Sequence, residues 1–175
     1  MIQFDDILIR PLQASDASSL AQYANNERIA QNLRDRFPHP YTIASAESFI
    51  AFCQMPDAPP SFGIIKAGEC VGVVGFIPQT DIHRQNAEFG YWLGEPFWGQ
   101  GIMTNIIQKM TGYIFENYEI SRLFATVFEF NTASQRVLQK AGFHLDCITR
   151  KSALKAGKLW DEYNYSLLAP RLRSE

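Results

Sequence analysis

Leu93-Gly94-Glu95-Pro96-Phe97-Trp98-Gly99-Gln100-Gly101-Ile102-Met103-Thr104 sets three glycines and a proline between an alternating apolar run and a helical one. The stretch has the look of a phosphate loop, and two familiar forms fail at informative positions. Gly94 and Gly99 have the glycine spacing of a P-loop, but the Lys and Ser/Thr that must follow are Gln100 and Gly101. Nothing here reaches a γ-phosphate or its magnesium ion. Gly99 and Gly101 open a dinucleotide fingerprint whose third glycine falls on Thr104, and no strand-helix-strand unit begins the chain. What remains is generic: small residues lead into a helix that starts near Ile102, so main-chain N–H groups and the positive end of the helix dipole face outward. That is an anion cradle whose anion the spacing does not name.

Upstream, Asn86 to Leu93 alternates, with Ala87, Phe89, Tyr91 and Leu93 on one face and Glu88, Gly90 and Trp92 on the other, which predicts a strand. Downstream, Ile102, Ile106, Ile107, Met110, Tyr113 and Ile114 recur at helical spacing. Leu123 to Phe128 is almost continuously apolar and is expected to be central and buried on both faces. Asn131 then caps a helix with Val137, Leu138 and Ala141 inward, ended by Gly142. Phe143 to Thr149 and Trp160 to Leu168 read as two strands joined by a Lys/Gly-bearing turn.

Toward the N-terminus, Ile7-Leu8-Ile9 predicts a first strand, and Ser15 or Asp16 caps a helix carrying Ala17, Leu20, Ala21 and Ala24. The prolines of Leu33 to Pro40 make a surface loop before a second helix, Ile43 to Met55. Ser61 to Lys66 and Val71 to Ile77 form a hairpin about Ala67-Gly68-Glu69. The whole is a mixed α/β sheet, with a parallel pair flanking the helix after Gly101.

A chain of 175 residues, 46% hydrophobic and without linker or repeat, is expected to form a single domain over 1–175, its core spanning about 7–169. Its net charge of -2 gives no electrostatic reason to expect nucleic acid or an anionic membrane. The three cysteines, Cys53, Cys70 and Cys147, are scattered and lack CxxC spacing; they read as buried small hydrophobes in a reducing compartment rather than as zinc ligands. Asp5 and Asp6 stand where a secretory signal would be basic, so a cytoplasmic location is expected. His39, His83 and His144 have no metal-ligand spacing, no metal is expected, and no Gly-x-Ser-x-Gly elbow occurs.

Three stretches, Ala87 to Leu93, Trp98 to Thr104, and Asn131-Thr132-Ala133-Ser134-Gln135-Arg136-Val137-Leu138-Gln139-Lys140-Ala141-Gly142-Phe143, together resemble the GCN5-related N-acetyltransferases (GNAT). Within that family they resemble the branch that acetylates ribosomal-protein N-termini, and Ile9-Arg10-Pro11 through Asp16 matches its usual opening. The resemblance implies the acyl-CoA N-acyltransferase fold: a central mixed sheet of about seven strands, about four flanking helices, and splayed central strands. The anion is then the pyrophosphate of acetyl-CoA, held by main-chain N–H groups of Trp98, Gly99, Gln100, Gly101, Ile102, Met103 and Thr104. The pantetheine arm is expected beside the strand ending at Leu93, bonded by backbone groups of Trp92, Leu93 and Gly94, with Asn131 also facing the cofactor. Two departures stand out, since the family usually has Arg or Gln where Trp98 stands and Gly or Ala where Met103 stands.

Acetyl transfer demands a group to take the proton of an alkylammonium, whose pKa lies near about 10. Glu88 fits, on the same strand face as the side-chain-free Gly90, and the family often uses a carboxylate on this strand. The departing thiolate needs only a modest acid. The tyrosine that many members use is replaced by Leu138, and the ribosomal-protein branch implies Ser134 instead. Plainer readings stand beside these: a solvated Glu88, and Asn131 with Ser134 as a helix cap. Phe37 and Tyr41 are expected to wall the acceptor site. Leu154 occupies the place of an acidic residue known in the branch, with Asp161 and Glu162 nearby. The expected reaction is direct attack of a primary amine on acetyl-CoA in a ternary complex, by a monomer or homodimer. A protein N-terminus is the leading acceptor, a polyamine or aminoglycoside-like amine the alternative, and a non-catalytic acyl-CoA-binding module the further alternative.

Overall fold

Two Ala-Gly pairs turn the chain sharply back on itself, because both residues of each pair adopt positive φ: Ala67 and Gly68 at 51° and 85°, Ala156 and Gly157 at 51° and 75°. That backbone matches the right-handed twist of the strands it joins and makes two tight antiparallel hairpins. A computed structural model describes residues 1–170. Its strands are β1 (Ile2–Phe4), β2 (Ile7–Pro11), β3 (Ser61–Lys66), β4 (Glu69–Pro78), β5 (Asn86–Leu93), β6 (Arg122–Phe128), β7 (His144–Lys155) and β8 (Lys158–Leu168). Its helices are α1 (Ala17–Ala24), α2 (Glu27–Ala30), α3 (Ile43–Cys53), α4 (Ile102–Asn117) and α5 (Thr132–Lys140). The strands make one mixed sheet in the order β1-β2-β3-β4-β5-β6-β8-β7. The expected α/β architecture is present, with β1 and α2 added; three and four residues long, they are too short to leave a periodic signal.

The chain forms two compact units, the first Met1–Phe76 with Gly90–Gln100, the second Ile77–Phe89 with the chain from Gly101 onward. In the first, β2 pairs antiparallel with β3 from Ile7↔Lys66 to Pro11↔Phe62. Leu20, Ala24, Ala46, Ile50 and Cys70 pack as a core between α1, α3 and the sheet. Asp16 stands at the N-cap position of α1 without capping it. Its carboxylate turns back instead: Arg10 Nη1 and Nη2 donate to Oδ2 and Oδ1 at 2.8 Å each, and Gln13 N–H donates to Oδ2 at 2.8 Å. A carboxylate only 4% exposed needs such a partner, and a two-pronged guanidinium supplies it.

Gly72 in β4 sits where another strand comes very close. A Cβ there would lie 2.4 Å from the Trp92 carbonyl oxygen and 3.1 Å from Leu93 Cα, both main-chain atoms that no rotamer change can clear. Gly72→Ala is therefore expected to cost about 3 kcal/mol, at the upper end of overpacking effects, and to disturb the end of β5. Urea unfolding measures it; a loss below about 1 kcal/mol would mean the strands separate freely at this point.

In the second unit β5 pairs parallel with β6 through Asn86↔Arg122, Ala87↔Leu123 and Glu88↔Phe124, and α4 lies between them in the chain as expected. Antiparallel β8 lines β6 from Arg122↔Leu168 to Phe128↔Glu162. Helix α4 buries Met103, Ile106, Ile107, Met110 and Ile114, and α5 buries Leu138. The reading of β6 as buried on both faces is corrected: Leu123, Ala125 and Val127 are buried, whereas Phe124, Thr126 and Phe128 are half-buried. That second face mixes aromatic and polar groups, with Thr126 Oγ1 donating to Asn164 Oδ1 at 3.0 Å and Arg122 lying over the Phe124 ring. The cysteines are also not all buried. Cys70 is, Cys53 is half-buried and Cys147 is exposed, because β7 is the last strand of the sheet. Among the described residues no helix is long and apolar enough to cross a membrane.

Candidate active site

The glycine-rich turn starts from a fixed platform. Gly94 N–H donates to Val71 O at 2.7 Å, and a Cβ on Gly94 would lie 3.0 Å from the Tyr23 ring, which meets Phe97 edge-on at 5.4 Å between centroids. A 3-10 turn, Glu95–Phe97, follows. Trp98 folds its indole back, donating Nε1–H to Leu93 O at 2.6 Å, and Gln100 Nε2 donates to Pro96 O at 2.9 Å. Beyond this platform Gly99 and Gly101 have φ of +73° and +77°. A Cβ on either would meet nothing within 4 Å, so it is conformation that calls for glycine there, and the space in front is open.

Gly101 is the N-cap of α4 and brings no side-chain oxygen to it. The first main-chain bond across this start is Asn105 N–H to Gly101 O at 3.2 Å. By helix geometry the N–H groups of Ile102, Met103 and Thr104 have no carbonyl four residues back within α4. They form a donor cluster at the positive end of a sixteen-residue helix. Met103 keeps its side chain buried while its N–H stays at the helix start, so bulk at this position leaves the donors in place. The donor set and the open glycine backbone fit a pyrophosphate.

The two main-chain groups of Gly94 already have partners, since its carbonyl accepts from Phe97 N–H at 3.0 Å. Of the three residues expected to meet the pantetheine arm, Gly94 thus has its N–H committed within the fold. Trp92 lies in an aromatic cluster, with Phe37 edge-on to it at 6.0 Å and Phe37 tilted against Tyr41 at 4.9 Å. Tyr41 is buried, its phenol pushed up to about 12 mainly by desolvation. Of the expected aromatic wall, Tyr41 is therefore a core anchor behind half-buried Phe37.

In the second unit Glu88 is half-buried on β5 opposite Phe124. Register partners share a face, so the Glu88 face continues through Phe124, Thr126 and Phe128 on β6 and through Asn164, Glu162 and Trp160 on β8. Phe128 stacks on Phe130 at 5.2 Å, and Phe130 meets Trp160 edge-on at 4.7 Å. Asn131 Oδ1 accepts Ser134 N–H at 3.1 Å, so the capping pair is real, and it presents Ser134 in the first turn of α5. Asp161 and Glu162 are tied into the β7–β8 hairpin, accepting from Lys151 N–H at 2.8 Å and Ser152 Oγ at 2.7 Å, while Leu154 is exposed. Sequence reasoning missed Asn26 and Arg28, which bind Glu95 from 69 and 67 residues away.

Residues 6–144 match a family profile described as the acetyltransferase (GNAT) domain. The chain belongs to the GNAT acetyltransferases. It is 31% identical to the probable N-acetyltransferase YjcK of Bacillus subtilis over 170 residues, 93% of each chain. It is 31% identical over 104 residues to the ribosomal-protein-serine acetyltransferase of Escherichia coli, covering 59% of this chain and 56% of that one. Among solved structures, RimL, the ribosomal L7/L12 α-N-protein acetyltransferase in complex with coenzyme A, shares the fold with a TM-score of 0.81 at 22% identity, covering 93% of this chain and 94% of that one. This GNAT protein is an acetyl-CoA-dependent N-acetyltransferase.

Proposed function

We propose that this GNAT enzyme acetylates a protein N-terminal α-amine by direct attack in a ternary complex. The observation that carries the reading is the start of α4, where a glycine N-cap brings no side chain to the first helical N–H groups and the space at its own Cβ position is open. Trp98 N–H is already given to Glu95 O at 3.1 Å, so the main-chain donors from Gly99 to Thr104 hold the pyrophosphate, and the backbone of Trp92 and Leu93 orients the pantetheine arm. Bound acetyl-CoA supplies the activated acetyl group. Glu88 accepts the proton of the attacking amine, a main-chain N–H near Leu93 meets the developing oxyanion, and Ser134 Oγ donates to the departing sulfur. Holding the reactants in line is the main catalytic contribution. Similarity to the ribosomal-protein-serine enzyme supports a protein as acceptor. One observation favours a cationic small amine instead: Lys158 Nζ already rests 3.6 Å above the Trp160 ring, beside Phe130, so this face accepts an ammonium group.

Thermal unfolding with acetyl-CoA, using ATP and NAD as controls, tests the cofactor reading first. At 100 times the dissociation constant the expected gain is about 2.7 kcal/mol, which at about 2–4 °C per kcal/mol gives a rise of about 5–10 °C. ATP and NAD are expected to leave the midpoint unchanged. An equal shift with all three ligands, or none with any, would sink it. Thiol release over N-terminal peptides and polyamines then separates the acceptors, and cofactor binding without turnover on any amine would leave only a binding module.

A further inference from the structure

The stretch Leu93 to Thr104 has one charged side chain, Glu95, and its sign is wrong for a turn that is to hold a pyrophosphate. The fold surrounds that carboxylate with compensating groups. Arg28 Nη1 pairs with Glu95 Oε1, and Asn26 Nδ2 donates to Oε2 at 2.7 Å. Asn26 does two jobs, because its Oδ1 also accepts Arg28 N–H at 2.8 Å and caps α2, the single turn that carries Arg28. The Arg28 guanidinium in turn lies 5.3 Å from the centre of the Trp98 ring, the ring whose Nε1–H is fixed on Leu93 O. Arg28 from α2 and Asn26 from its N-cap thereby grip the turn at its third and sixth residues.

We infer that Arg28 is a positioning residue for acetyl-CoA: it neutralises Glu95 and steadies Trp98, so that the glycine turn offers its N–H donors free of an opposing negative charge. This rests on the reading of the turn as the pyrophosphate site. With Arg28 65% exposed and Glu95 34% exposed, the pair adds little to folding stability. Its effect falls on an anion arriving a few residues away, within about one Debye length of about 8–10 Å.

The test is calorimetric titration with acetyl-CoA, at low and high salt, of the wild type, R28M, E95Q and R28M/E95Q, with melting temperatures taken without ligand. At low salt R28M is expected to bind about tenfold more weakly, because Glu95 then faces the cofactor unopposed, and to approach the wild type at high salt. E95Q is expected to bind at least as tightly as the wild type, and the double variant to return to within about threefold of it. Unliganded melting temperatures should stay together across the four proteins, a result that separates this role from a structural one. Unchanged binding by R28M, or a double variant as weak as R28M, overturns the inference and leaves the cofactor reading standing. A wild type that does not bind acetyl-CoA overturns that reading and the inference with it.

Discussion

Replacing Glu88 with Gln is expected to lower kcat by about 10²–10⁴-fold with any acceptor that supports thiol release, the usual worth of a positioned general base. The pH profile carries more information than the size of the loss. A base is needed only while the amine is protonated, so the deficit of Glu88→Gln should shrink as pH rises through the acceptor's own pKa. For a protein α-amine that lies at about 7.7–8.0, and for a lysine-like amine at about 10.4. Recovery beginning near pH 8 would support an N-terminal acceptor, and recovery delayed beyond pH 9 a small alkylamine. A variant within about threefold of the wild type at every pH removes Glu88 from the proton path.

Asp16→Ala is expected to destabilise the first unit by about 3–5 kcal/mol, because it leaves the Arg10 guanidinium, 13% exposed, without its counter-ion. That is a large part of the roughly 5–15 kcal/mol typical of a folded domain. Burial pushes the Asp16 carboxyl up, but the Arg10 hydrogen bonds and the Gln13 amide outweigh it and hold the group below the ordinary carboxylate range. A depressed folded pKa gives stability that is complete above the unfolded value and lost as pH falls through the folded one. The wild type should therefore lose part of its stability below about pH 4, and Asp16→Ala should lack that part of the acid slope. Denaturant melts of both proteins between pH 7 and pH 3 measure it; parallel curves, or a loss under about 1 kcal/mol, would show the pair to be incidental.

Much of the architecture was written locally. The alternation from Ala87 to Leu93, the stripe from Ile102 to Ile114 and the Ala-Gly turn at Ala67 each report a conformation that neighbouring residues impose, and each element lies where its pattern put it. The helix cap at Asn131 was legible for the same reason. Burial was less so. An apolar run such as Leu123 to Phe128 does not state whether its second face meets helices or polar groups such as Asn164, and Cys147 is exposed only because its strand ends the sheet. The chemistry of Asp161 and Glu162 was hidden by the hairpin bonds that engage them, and Tyr41 looked like a wall but is an anchor. The Arg28–Glu95 pair was beyond reach, since nothing near either residue announces a partner 67 positions away.

The last strand in the sheet order has a bearing on how this protein behaves when concentrated. β7 runs for twelve residues at one margin and carries exposed Leu145, Ile148 and Leu154, features that could template the strands of other molecules. Its pairing with β8 breaks between Leu145 and Cys147 and again between Thr149 and Ala153, where Lys151 takes a φ of 51°. Those breaks bend the outer row of N–H and C=O groups out of line, and Arg150, Lys151 and Lys155 set like charges against an identical strand. β1, at the opposite margin, has only three residues to offer. Both rims of the sheet thus resist fibre-like growth, one by interruption and charge and the other by brevity.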